Sequence, residues 1–257
     1  MIALRSQSSL AYGGHGTSTV VPPPATIVDN DILAAFIFTG QGSAGGATIT
    51  AAPAGFTAVG IETSVTDPSS FTGKYYLYWK RALGESGSYT FTTSVSCNSE
   101  AVLFSLSGCK LTGSPWGPNT TNNSGSGTVS TGPGITTTQA NSWLIYGGHN
   151  WSATPGSVPP GMTQMFNVLG FDAYELRASA GATADRVQNP NGNTTAAGQM
   201  WAARMFELLE EPAAPVGGKP KVWTGSAWVE KPAKVWTGSA WIEKPVKVWN
   251  GSAWVLA

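Results

Sequence analysis

Three copies of one unit occupy the C-terminal stretch: KVWTGSAWVEKPA from Lys221, KVWTGSAWIEKPV from Lys234 and KVWNGSAWVLA from Lys247. Repetition this close means that whatever one copy folds into, the others fold into as well. Each copy centres on Gly-Ser flanked by alternating residues, the signature of a hairpin closed by a two-residue primed turn. Folding about Gly225-Ser226 sets Trp223 opposite Trp228 on one face and Val222 opposite Val229 on the other. Lys221 then faces Glu230, a cross-strand ion pair on the Trp face. The second unit repeats the scheme with Trp236/Trp241, Val235/Ile242 and Lys234/Glu243. The third keeps Trp249/Trp254 and Val248/Val255 but sets Lys247 against Leu256. Pro232 and Pro245 end each hairpin before it can lengthen.

A lone two-stranded hairpin is marginal in water, and these hairpins are apolar on both faces. They therefore need cover from outside. Stacking three units supplies part of it. The rest is expected from other copies of the chain, for which three-fold winding into a prism is a natural closure. The twelve Trp, Val and Ile residues just named are thus the candidate oligomerisation residues. Two other readings stay open: an aromatic repeat that binds glycan or choline, and a tail packed back on its own domain.

Ahead of the repeats the composition speaks for strands. Thirty-two glycines and seventeen prolines among 257 residues suit many turns, not helix bundles. The formal net charge is zero and only 11% of residues are charged. With no basic run, nucleic acid is not an expected partner. No apolar run approaches the ~20 residues that span a bilayer, and MIALRSQSSL lacks the apolar core and cleavage site of a signal peptide. That combination fits a particle component released by lysis, and equally a cytosolic protein.

In chain order, residues 1–25 read as a polar extended arm, 26–212 as a β-sandwich domain, 213–220 as a linker and 221–257 as the repeats. Within the domain, Ile32–Phe38 is an unbroken apolar run of strand length, expected to be buried on both faces. Strands follow at Phe56–Glu62, Lys74–Arg81, Tyr89–Cys97, Ala101–Ser107, Trp143–Gly148, Met162–Leu169 and Ala173–Ser179. A hairpin about Asn98-Ser99 would put Cys97 and Cys109 at opposite ends, so two free thiols are expected. Lys110–Thr138 reads as a long surface loop with Trp116 exposed. Ala197–Leu209 has helical propensity, but a closing strand is favoured because every other element of the domain is a strand. About nine short strands without helices between them give the expected fold: all-β, a jelly-roll-like two-sheet β-sandwich followed by an array of short hairpin repeats.

Several landmarks occur together: DNDILAAFIF, the PAGF turn, YYLYWKRALGESGSYTFTTS and NSWLIYGG. In this order they resemble a β-sandwich domain of tailed-phage structural proteins, with Phe56 where that pattern usually has Trp. The KVWxGSAW units likewise resemble tail segments of minor tail proteins from phages of actinobacteria. The resemblance spans about residues 27–257. It implies a virion location and partners among other virion proteins, and it brings no catalytic residues.

Catalytic signatures are sparse. His15 and His149 are the two histidines available as a base, and Ser124–Gly127 lacks the strand–turn–helix setting of a nucleophile elbow. Asp172, Glu175 and Asp185 read as isolated surface acids, not as a facing pair for glycoside hydrolysis. No Cys or His spacing suggests a metal, and no cofactor fingerprint is present. The expectation is a non-enzymatic protein. Trp116, Tyr146 and Trp151, in or beside Gly/Asn-rich loops, are the candidate contacts to a host-surface glycan.

Overall fold

The run Ile32–Phe38 lies at the centre of the fold, buried along its whole length. Its alternate residues face two different cores: Ile32, Ala34, Phe36 and Phe38 join one cluster, and Leu33, Ala35 and Ile37 another. A strand in that position needs apolar residues on both sides of its pleat, and the sequence supplies them. The computed structural model describes the chain apart from residues 42–45, 61–62, 67–71, 121–123, 127–128, 151–156, 169, 189–199, 213–219, 250–253 and 257. Two compact units result, Met1–Glu211 and Pro212–Ala257.

The larger unit is built from β1 (Ala3–Gln7), β2 (Gly16–Val21), β3 (Ile32–Gln41), β4 (Thr72–Arg81) and β5 (Tyr89–Ser107), then β6 (Trp116–Asn119), β7 (Ser142–Asn150), β8 (Thr163–Val168), β9 (Gly170–Arg177) and β10 (Met200–Leu208). Shorter strands attach to these. One sheet runs β1-β5-β3-β4 and the other β6-β10-β7-β9-β8, so each half of the chain makes its own sheet. The pairings among these strands are antiparallel. The sheets face each other across one apolar layer, where Phe36 and Phe104 meet Ile145 and Phe206. The Phe36 and Phe206 rings meet edge-on at 6.0 Å, a favourable aromatic geometry. Leu144, Tyr146, Ala173, Ala203 and Met205 form a further layer on the outer side of the second sheet. The unit is thus an all-β sandwich with apolar layers between and outside its sheets.

Three expectations need correction. The hairpin about Asn98-Ser99 does not form: β5 is one strand of 19 residues. Asn98 pairs with Gly40 and Ser99 with Thr39 of β3, so the polar dipeptide is absorbed by a neighbouring strand. The strand is exposed over Ser94–Ser96. Its first half then pairs with β2 and lays Tyr89 and Phe91 against Ala101 and Leu103 of its second half. Cys97 and Cys109 are free and buried, and burial pushes the Cys109 thiol up to about 12.

The N-terminal residues are also not a separate arm. They supply β1 and β2, with Ile2 in the inter-sheet core and the Arg5 guanidinium on Asp31 at 2.6 Å. Lys110–Thr138, finally, holds more than a loop. It contributes β6 and Ser124–Ser126 to the edge of β10, and two further short strands that pair with Gly181–Ala182 and Arg186–Gln188. β10 itself is a strand, paired with β7 from Trp143↔Leu208 to Asn150↔Trp201.

Candidate functional site

The tail folds into three two-stranded hairpins in the register that the repeats dictate. The first pairs Lys221↔Glu230, Val222↔Val229 and Trp223↔Trp228, and the second Lys234↔Glu243, Val235↔Ile242 and Trp236↔Trp241. The third pairs Lys247↔Leu256, Val248↔Val255 and Trp249↔Trp254. The turn explains why the unit repeats so closely. Gly225 sits at φ 98° and Gly238 at φ 96°, the left-handed region where a Cβ is disfavoured. Ser226 and Ser239 are not in that region, so the first two turns have positive φ at their first central residue, as in a primed II′ turn. Thr224 locks the turn: its N–H donates to Ala227 O at 2.9 Å. Its hydroxyl donates to the same oxygen at 3.0 Å and accepts from Ala227 N–H at 3.3 Å. Thr237 repeats the arrangement with Ala240. At the base, the Lys231 N–H donates to Pro220 O and the Lys244 N–H to Ala233 O.

On the faces, the Trp223 and Trp228 rings lie 5.7 Å apart at 53°, and Trp236 and Trp241 5.6 Å apart at 51°. These four rings and that of Trp254 stay open to solvent: 52%, 67%, 51%, 65% and 65% exposed for Trp223, Trp228, Trp236, Trp241 and Trp254. Val222, Val235 and Ile242 on the opposite face are exposed too, at 50%, 52% and 38%. Val229 departs from that pattern: it is half-buried, so the valine face is less open than the Trp face. The expectation for the third hairpin narrows to one residue. Val255 keeps its backbone place opposite Val248, but the side chains of Val248, Trp249 and Val255 lie outside the described residues. Val255 is therefore not among the residues shown to line an open face, and of the third hairpin only Trp254 is.

Large rings cluster on the hairpins while remaining open to solvent, an apolar surface of the kind that marks an interaction site. Lys221 and Glu230 face each other in register, as do Lys234 and Glu243, all of them exposed. Neither pair closes into a salt bridge; among the described residues the ion pairs lie in the sandwich.

The glycan candidates fare differently. Trp116 is buried, its ring edge-on to Phe206 at 6.1 Å, because β6 is drawn onto β10 as a sheet edge. Tyr146 is fully buried, its hydroxyl 2.7 Å from Ser130 Oγ. Trp151 lies outside the described residues. No glycan platform is assembled from Trp116 and Tyr146.

A second feature went unread in the sequence: a polar cluster between the sheets. Tyr75 of β4 donates its hydroxyl to Asp172 of β9 at 2.9 Å. His149 Nε2 of β7 lies 3.1 Å from Glu100 Oε2 of β5, and the imidazole stacks flat on Phe38 at 3.7 Å. All of these line one small cavity of about 20 Å³, room for one or two waters. His149 is 5% exposed, and its Nδ1 has no hydrogen-bond partner among the described residues. Burial pushes Asp172 up to about 8 from an ordinary 3.8, against the opposing hydrogen bond from Tyr75. Tyr75 is raised in turn, first by burial and then by Asp172. Nearby Arg204 is fully buried and gives its N–H groups to Val59 O, Thr120 O and Asn119 Oδ1. Burial lowers it to about 10. The cluster joins the sheets by hydrogen bonds.

One signal for it was present. Gly147-Gly148 sits inside a strand, where glycine marks close approach of other groups. A Cβ at Gly147 would stand 2.7 Å from the Tyr75 hydroxyl. The remaining acids are also placed. Glu175 binds Arg177 and Arg186, Asp185 accepts the Gly134 N–H, and Asp172 is buried, not on the surface. His15 accepts the Ser96 hydroxyl on its backbone oxygen. Among the described residues no group of three or more His, Cys, Asp or Glu side chains could hold a metal ion, and no helix is long and apolar enough to cross a membrane. No family model, curated protein or solved structure matches the chain.

Proposed function

We propose that the protein is a non-enzymatic structural component of a tailed-phage particle, a minor tail component or appendage that assembles as a homo-oligomer, a trimer, through its Trp hairpins. The observation that carries the reading is the exposure of the repeats. Trp223, Trp228, Trp236, Trp241 and Trp254 are each more than half open, in a unit too thin to cover both of its own apolar faces. The virion assignment is supported by the ordered landmarks of the sandwich and by the KVWxGSAW units. Capsid decoration would use the same surface at a different place on the particle.

Host adhesion through glycan is the runner-up, and it has lost two of its residues, since Trp116 and Tyr146 are buried. What remains of it is the tail itself, where the ring of Trp228 is the most open among the described residues. The test of the virion reading is mass spectrometry of gradient-purified particles from the phage that encodes the chain, with antibody labelling under the electron microscope. The expected result is co-purification in fixed stoichiometry with label on the tail. Absence from particles after they are washed free of lysate would end this reading.

A further inference from the structure

We infer that the occupant of the Trp face is the same face of another copy of this chain, with the Lys-bearing strand of each hairpin set beside the Glu-bearing strand of the next. The inference rests on the self-association proposed above and specifies its register. In the first hairpin, Lys221, Val222 and Trp223 form one strand and Trp228, Val229 and Glu230 the other. Strand alternation puts Lys221, Trp223, Trp228 and Glu230 on one face. That face therefore has an apolar centre with a cation on one flank and an anion on the other. The second hairpin repeats it with Lys234 and Glu243.

Such a face is self-complementary in a particular sense. Turned toward a common axis, the cationic flank of one copy meets the anionic flank of its neighbour, and a ring of copies leaves no flank unmatched. Lys221 and Glu230 do not close a salt bridge within the hairpin, so both are available to pair outward. A partner of single charge sign would leave one flank facing a like charge in each hairpin. The area is of the order an interface needs. A Trp side chain buries about 150–250 Å², so five rings open to between 51% and 67% offer about 450–750 Å² per copy. One side of a stable interface buries about 800 Å². Covering the rings supplies the affinity, and the exposed charge pairs, individually weak, set which strand lies beside which. The third hairpin, with Leu256 opposite Lys247, lacks the anionic flank, so the register is set by the first two.

The test exchanges the flanks in the full chain. One variant carries Lys221→Glu with Lys234→Glu, a second carries Glu230→Lys with Glu243→Lys, and a third carries all four changes. The readout is mass by light scattering at low salt, with the far-ultraviolet exciton band of the paired Trp rings as a report on hairpin folding. Each two-site variant alone should assemble at least about tenfold more weakly than the wild type, since like charges then meet across every contact. Mixing the two should restore assembly in part, because two of the three contacts in a mixed three-membered ring then join opposite charges. The four-site variant should assemble alone. High salt, about 1 M, should shrink the differences by screening. Two-site variants that assemble as well as wild type would overturn the inference. So would a mixture no better assembled than its components while the exciton band is intact. A wild-type chain that is itself monomeric would instead remove the self-association on which the inference rests.

Discussion

Asp172 shows most plainly how one buried group can set the behaviour of the sandwich. Unfolded, it releases its proton near its ordinary 3.8; folded, near 8. Between those values the unfolded chain binds fewer protons than the folded one, so stability falls as pH rises. The slope from this group is about 1.4 kcal/mol per pH unit, and it levels off above about pH 8. Asp172→Asn keeps an oxygen to accept the Tyr75 hydroxyl and removes the titration. The variant should therefore unfold at higher urea than wild type at pH 8, and its midpoint should vary less between pH 5 and 8. Urea titrations across that range would refute the assignment if the two proteins showed equal slopes. Sequence reading had placed Asp172 on the surface, because no periodicity in GFDAYELR says which neighbour covers it. Burial of this carboxyl is decided by a residue almost a hundred positions away, Tyr75, across the sheet interface.

Among the elements, the hairpins were the most legible and β5 the least. A two-residue turn with glycine at its first position fixes its own register, so Trp223↔Trp228 followed from local chemistry alone. The same chemistry gave the Val248↔Val255 pairing of the third hairpin, whereas pairing alone does not say what covers Val255. The turn should fail locally as well. A Cβ at Gly225 or Gly238 meets nothing within 4 Å, so alanine there costs only backbone strain, about 1–2 kcal/mol per turn. The double variant Gly225→Ala with Gly238→Ala should lose its Trp exciton band at a lower temperature than wild type while the sandwich melts unchanged. An unaltered band would show that the turns do not hold the hairpins. In β5, by contrast, Asn98-Ser99 carried a turn signal that long-range pairing overrode: Thr39 and Gly40 of β3 take up both residues. The same override drew Trp116 out of an apparent loop onto the edge of β10. The strand identity of β10 was readable from its setting, since the other elements of the domain read as strands.

At the scale of the whole molecule, the division between sandwich and repeat tail was visible in composition, and the chain divides into its two compact units between Glu211 and Pro212. The boundary expected after residue 25 was not real. The N-terminal stretch, polar on average, places two of its apolar residues, Ile2 and Val21, in two different cores. Composition averages over such anchors and so hides them. The Trp rings of the tail are open to solvent, and we propose that copies of the chain cover them for one another. The most direct measurement is the solution mass of the full chain and of a chain ending at Pro212, by light scattering after size exclusion. The full chain should be a trimer and the shortened one a folded monomer. Equal monomeric masses for both would contradict the proposal and leave the exposed Trp rings to a ligand.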